Sequence, residues 1–375
     1  MRFIISSTTL LKNVQAISGV LGSSSSALPI LDNFLVESDG DSLKITASDQ
    51  ETTIVVSVKP EKINETGRIV VPAKLLIDWL KTLSNIPVTF DVSENFGINI
   101  TSGEGVFNVS GFDPDEYPQI REVTDVKTFT LDSHLLETAI SKTLFATGSD
   151  EMRPTMSGIL CEAGESKIVF VATDAHKLVC YTRYDAKSDE EVSFIFPKKP
   201  LNQLKNIIST SGAETVEVRY TDKNVVFVLG NFVLTCVQIE GKYPNYSAVI
   251  PTDNPNVLIV DRLLLINTLQ RVSIFANQST HQVRFKLSGQ ELSVMAEDID
   301  YSNDGRERLD CNYSGEDMDI GFNAKSLIEM LSNLGGETVR MELSQPNRAG
   351  LIFPNEQENE NEEILMLIMP IMLNS

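Results

Sequence analysis

Asp174 and His176 stand two residues apart in Thr173-Asp174-Ala175-His176-Lys177-Leu178. A carboxylate that close to an imidazole could orient a general base. A base needs a nucleophile to activate, and no Ser or Cys sits at a recognisable elbow. Asp49 and Asp298 end similar triplets, Ala47-Ser48-Asp49 and Ala296-Glu297-Asp298, and neither has a histidine two residues on. The aspartate therefore reads as a strand-end turn residue, and the chain as no enzyme. The other histidines, His134 and His281, give no metal-ligand spacing, and Cys161, Cys180, Cys236 and Cys311 are scattered without a C-x-x-C. They read as buried thiols in a reducing cytoplasm, with no metal. No G-x-x-x-x-G-K-[ST] phosphate loop occurs, and no cofactor is expected.

The elements that carry these residues come in three copies. The aspartates at 49, 174 and 298 fall 125 and 124 residues apart, and the residues six, four and two places before each are apolar: Leu43/Ile45/Ala47, Ile168/Phe170/Ala172 and Leu292/Val294/Ala296. That is one strand register repeated three times. Gly40, Gly164 and Gly289 precede these strands where a hairpin turn falls. Lys74, Lys199 and Lys325 recur at 125 and 126 residues, and Pro118, Pro244 and Pro370 at 126. Three domains follow, 1–122, 128–250 and 256–375, joined by linkers near 120–127 and 250–256.

Each copy opens on a short strand at Arg2–Ile5, Thr128–Leu131 or Val257–Val260. An amphipathic helix follows, with Leu10/Val14/Ile17, Leu136/Ile140/Leu144 or Leu265/Leu269/Val272 on its apolar stripe and Ser7, Asp132 or Asp261 as cap. Strands then lead to a second helix, with Leu76/Leu80/Leu83, Leu201/Leu204/Ile208 or Leu327/Leu331/Leu334 inside, and further strands close the copy. The fold class is α+β, two helices on an antiparallel sheet, three times over.

The 375 residues carry 31 Lys and Arg against 52 Asp and Glu, a net charge of −21. Such a surface repels polyanions on average and argues against a simple basic nucleic-acid binder or an anionic-lipid binder. The N-terminus lacks a signal-peptide apolar region, and the apolar run 365–373 is about half a membrane span. The cations are unevenly placed: the six helical segments hold ten Lys or Arg and only three carboxylates. Solvated helix faces explain this in part. A repeated array of such helices would instead form a basic wall that tracks phosphates without reading sequence.

The sequence resembles the bacterial DNA polymerase III beta subunit family, the sliding clamps, over its whole length. The resemblance rests on Leu10-Leu11-Lys12, Leu28-Pro29-Ile30-Leu31, the segment 173–178, Tyr243-Pro244-Asn245-Tyr246, Tyr313-Ser314-Gly315, Ile320-Gly321-Phe322-Asn323 and Ile368-Met369-Pro370-Ile371. It implies a head-to-tail homodimer that closes a ring around duplex DNA, with the DNA polymerase III catalytic subunit, the clamp loader and other proteins bearing a clamp-binding motif as partners. An acidic three-domain scaffold that binds a cationic protein without DNA is the other reading.

The resemblance also implies sites. A peptide pocket is expected at Met156, Thr173, His176, Leu178, Pro244 and Val249, with the tail Met369, Pro370, Ile371, Met372 and Leu373 as its other wall. The competing reading of 365–373 is a buried last strand; alternation allows both, one face packed and the other lining a groove, and pairing is expected to stop at Pro370 and leave the tip open. The ring interface is expected at Lys74 and Phe107 against Ile274 and Phe275; core burial is the other reading of Phe107. DNA contacts are expected, from the uneven placing of the helix cations, at Lys12, Lys81, Lys198, Lys199, Lys205, Arg262 and Arg271, and the resemblance adds Arg153. This chain departs from the family at Ala248 and Met372, where arginines are common, at Glu104, where a base is common, at Ser23–Ser26 in place of an arginine-bearing loop, and at Pro154 and Thr155 in place of aromatics. The Glu-rich run 356–363 reads as a solvated loop.

Overall fold

The structure, a computed structural model, describes residues 1–22, 28–120, 123–357 and 359–373. Ser23–Ser26, the end of the first expected domain at 121–122, Glu358 and Asn374-Ser375 lie outside the described residues.

Among the described residues six α-helices, two per repeat, each start where a strand ends: α1 Ser7–Ile17, α2 Ala73–Leu80, α3 Ser133–Thr143, α4 Lys198–Ser211, α5 Arg262–Val272 and α6 Ala324–Asn333. Short polar side chains cap four of the starts, and Pro72 and Pro197 stand before the other two. Asp132 accepts the Leu135 N–H at 2.8 Å, Asp261 that of Leu264 at 2.7 Å and Asn323 that of Ser326 at 3.0 Å. The cap of α1 is Ser6, one residue before the expected Ser7. Ser6 is the residue with extended backbone, while Ser7 is already helical, buried, and donates its hydroxyl to the Ser84 carbonyl. Helix α2 stops at Leu80, so Leu83 lies beyond it and is half-exposed. The following Asn85-Ile86-Pro87 leads into the next strand, and a proline disfavours helix in the residue before it.

The chain forms two compact units, Met1–Glu137 with Lys199–Gln238, and Thr138–Lys198 with Ile239–Ser375. Within the first, a five-stranded sheet runs in the order Lys62–Glu65, Arg2–Ser6, Pro87–Val92, Gly97–Ser102, Gly105–Ser110. An eight-stranded sheet runs Lys127–Asp132, Thr215–Tyr220, Asn224–Leu229, Phe232–Val237, Thr52–Val58, Leu43–Ser48, Asn33–Ser38, Gly67–Pro72. Leu10, Val14 and Ile17 of α1 are buried against both sheets. Burying such a side chain contributes about 1.5–3 kcal/mol.

Within the second unit, a nine-stranded sheet runs Val192–Pro197, Gly158–Ala163, Ile168–Thr173, Lys177–Arg183, Glu362–Ile368, Gly350–Pro354, Thr338–Leu343, Asn256–Asp261, Asn312–Ser314. A four-stranded sheet runs Asn303–Asp310, Glu291–Asp298, Gln282–Ser288, Met318–Asn323. All named pairings are antiparallel. Each repeat thus divides its strands between two sheets, and the seams Thr52–Val58 with Phe232–Val237 and Lys177–Arg183 with Glu362–Ile368 fuse one repeat to the next. Fusion removes edges that would otherwise expose unpaired main-chain groups. Cys161 and Cys236 are buried, and burial pushes the Cys236 thiol up to about 12.

Candidate docking groove, open sheet edges and basic helix face

The turn after Ile168–Thr173 is held by its own side chains. The Asp174 carboxylate accepts the N–H groups of His176 at 2.9 Å and Lys177 at 2.8 Å, and Ala175 is in the left-handed region at φ 74°. Thr173 is buried and donates its hydroxyl to the Lys177 carbonyl at 2.8 Å. Asp174 is therefore engaged by main chain and by the Lys177 ammonium at 3.1 Å, and orients no imidazole. The same ammonium reaches Glu329 of α6 at 3.1 Å. Burial disfavours the charged lysine, but the two carboxylates outweigh it and leave its pKa raised. Lys177→Met should cost about 1–2 kcal/mol, below the range for a fully buried pair because Glu329 is half solvated. Urea unfolding read at several probes checks it.

Around this turn several of the expected pocket residues lie in the second unit. His176 is exposed, and its carbonyl accepts the Met369 N–H at 2.8 Å. Leu178 pairs with Leu367 and is only 2% exposed, part of the apolar cluster under the groove with Val171, Tyr243 and Leu351. The Met156 carbonyl accepts the Gly148 N–H at 2.8 Å. Pro244 follows the buried Tyr243, whose hydroxyl donates to the Val171 carbonyl at 3.4 Å. Val249, Met369 and Met372 are exposed, Met372 at 70%. Pairing does not stop at Pro370, as the proline had suggested: Ile371 bridges to Gly321, donating its N–H to the Gly321 carbonyl at 2.8 Å. A proline removes only its own donor, and the neighbours on both sides keep theirs.

Two of the eight strands that end the four sheets bear on the expected ring interface, and exposed apolar side chains lie on or beside them. Gly105–Ser110 ends the five-stranded sheet; Phe107 is 39% exposed, so it is no core residue, and it meets Trp79 edge-on at 5.2 Å between ring centroids. Leu75 and Val106 are exposed with it. Lys74 is spent on Asp78, one turn along α2, at 2.7 Å. Asn303–Asp310 ends the four-stranded sheet. Ile274 is 78% exposed, and Phe275 packs so closely on Gly305 that a β-carbon there would lie 2.8 Å from its ring. Ile299 and Tyr301, 77% and 74% exposed, extend that patch and escaped sequence reasoning. Their signal was available: two large apolar side chains alternate with Asp298 and Asp300 just past a strand end.

The helix cations separate into used and unused. Arg262 donates to the carbonyls of Gly336 at 2.8 Å and Leu331 at 3.1 Å, close to the end of α6. Arg271 forks onto Glu307, raising its own pKa and lowering that of the carboxylate. Lys199 pairs with Asp49, Lys81 lies 3.8 Å from Asp78, and Arg153 lies 3.7 Å from Asp150. Lys198 is exposed at the first position of α4. Among the described residues Lys12 and Lys205 make no ion pair. Lys12 borders an open cleft between α1 and α4, lined also by Thr8, Gln15, Asn206, Ser209 and Thr210, with no carboxylate among the lining residues.

Three repeats with seams between them make a modular α+β protein. Comparison with known proteins agrees in full length. The family models for the N-terminal, central and C-terminal domains of the DNA polymerase III beta subunit match residues 1–121, 130–245 and 247–372. The chain belongs to this family, the beta sliding clamps. It is 28% identical to the beta sliding clamp of Pseudomonas aeruginosa over all of both chains, and 30% identical to that of a Synechocystis species over 92% of this chain and 93% of the relative. Solved clamps from Pseudomonas aeruginosa and Bartonella birtlesii, both bound to griselimycin, superpose over all of both chains with TM-scores of 0.92 and 0.93 at 27% and 26% identity. Among the described residues no helix is long and apolar enough to cross a membrane, and no group of three or more His, Cys, Asp or Glu could hold a metal ion.

Proposed function

We propose that two copies of this chain close head to tail into a ring around duplex DNA. The ring slides without reading sequence and tethers the replicative polymerase, the clamp loader and other proteins through the groove at His176 and the tail. The observation that carries this reading is the pair of terminal strands flanked by exposed apolar side chains. Gly105–Ser110 of one copy continues the sheet that ends at Asn303–Asp310 of the other, as Phe232–Val237 continues Thr52–Val58 inside the chain. Five strands and four then make nine, the size of the sheet at the second seam. The domains are 1–122, 128–250 and 256–375. The ring works in the cytoplasm, performs no chemistry and holds no cofactor; opening it falls to the loader.

The topological claim has a direct test. Once loaded, the ring should stay on closed circular DNA and be lost when that circle is cut once. Equal loss from both forms would support the scaffold reading. DNA contact itself should be weak and electrostatic, led by the unpaired Lys12 and Lys205 with Lys198. Lys12→Ala with Lys205→Ala should flatten the dependence of log K on log salt by about 0.9 for each phosphate that is no longer neutralised. Arg271→Ala should leave that slope nearly unchanged, because its charge is already met by Glu307. Fluorescence anisotropy across a salt series separates the two outcomes.

A further inference from the structure

The chain end crosses between two sheets of the second unit. Strand Glu362–Ile368 ends the ladder with Lys177–Arg183, and Pro370 has no N–H to offer. The donors on either side of it are both used: Met369 gives its N–H to His176 and Ile371 gives its N–H to Gly321, each at 2.8 Å. Gly321 is buried in Met318–Asn323, the edge strand of the four-stranded sheet. Its φ is not positive, so the glycine is not there for an unusual backbone. It even weakens the strand, which gains nothing from a missing side chain. What it supplies is room. A β-carbon at this position would lie 2.5 Å from the Ile371 carbonyl oxygen and 2.8 Å from Cδ2 of Leu373. The first of these is main chain and cannot rotate aside.

We propose that Gly321 is the seat of the tail, the positioning residue that fixes Ile371–Leu373 as the second wall of the peptide groove. The proposal rests on the docking reading given above. Main-chain bonds on both sides of Pro370 hold the tail and leave Met369 and Met372 exposed to a partner. A partner then meets a wall that is already ordered, and does not have to order it on binding. Gly321→Ala should unseat residues 371–373 while the Met369 bond to His176, which does not involve Gly321, persists. Loss of that order should weaken peptide binding about tenfold.

Amide hydrogen exchange on the wild-type dimer comes first. The Ile371 amide should be protected, and in Gly321→Ala it should exchange freely while Met369 stays protected. A freely exchanging Ile371 in the wild-type protein overturns the seat, whether or not any variant folds. Peptide titration then compares four proteins: wild type, Gly321→Ala, a chain lacking 371–375, and the two changes combined. A residue that acts through the tail should cost nothing further once the tail is gone. An equal loss in both backgrounds would mean that Gly321 acts through the sheet, and the proposal falls. A wild-type ring that protects Ile371 but binds no peptide overturns the docking reading and this role with it, leaving only a structural latch.

Discussion

Phe107→Asp should convert the dimer to monomers at micromolar concentration. In the proposed interface the substitution sets a carboxylate among Leu75, Val106 and Trp79 on one side and Ile274, Phe275, Ile299 and Tyr301 on the other, while the arginines of the edge strand are engaged, Arg306 with Ser293 and Arg308 with Glu291. Burying an unpaired charge costs several kcal/mol, and the group resists entry into the interface instead. Lys74 is the nearest candidate partner on α2 and is held by Asp78. If the dimer is held by apolar side chains and main chain, as proposed, raising salt should weaken it little. The head-to-tail arrangement adds a sharper expectation. A Phe107→Asp chain keeps its Ile274 face and an Ile274→Asp chain keeps its Phe107 face. Mixed, they should form an open dimer through one intact interface, which an arrangement pairing like faces would forbid. Sedimentation of each variant and of the mixture decides it. The chain's single tryptophan, Trp79, packs edge-on against Phe107 and should report closure by its emission.

Deleting Met369–Ser375 should abolish partner-peptide binding and leave the ring closed. Wild-type affinity for short peptides with a glutamine and two apolar anchors should be about micromolar, near −8 kcal/mol. A groove of this kind works by burying a few anchors, and truncating a central one costs on the order of 2 kcal/mol. Removing one whole wall strips several anchors of their cover together. The ring should survive because the tail sits on Gly321 at one edge of the four-stranded sheet, and the interface patch lies toward the opposite edge. Three strand spacings separate those edges, roughly 14 Å. Calorimetric titration against the truncated dimer is the check: retained affinity would mean that partners dock elsewhere, and loss of the dimer would mean that the tail supports the interface.

The sequence by itself determined what is local and repeated. Side chains at period two fix a strand's register, and the triplets at Asp49, Asp174 and Asp298 announced three copies of it. The stripes Leu10/Val14/Ile17 and Leu265/Leu269/Val272 placed α1 and α5 within a few residues, because every apolar position on them is buried. The turn at Asp174 was legible too: Asp174 binds N–H groups two and three residues on, an interaction that sequence distance alone can propose.

Tertiary structure decided everything that joins distant residues. Lys177 meets Glu329 from 152 positions away, and Lys199 meets Asp49 from 150, so no window of sequence separates a used cation from a free one. Arg271 and Lys12 look alike on their helices, yet one is neutralised by a carboxylate on a strand and the other faces an open cleft. The exposure of Ile299 and Tyr301 follows from which strand ends the sheet, and strand order is a property of pairing, not of composition. Gly321 shows the limit most plainly. In sequence it is a glycine weakening a strand; in space it is the gap into which the far end of the chain fits. Close packing made that gap specific, since only a residue without a β-carbon leaves room for another main chain.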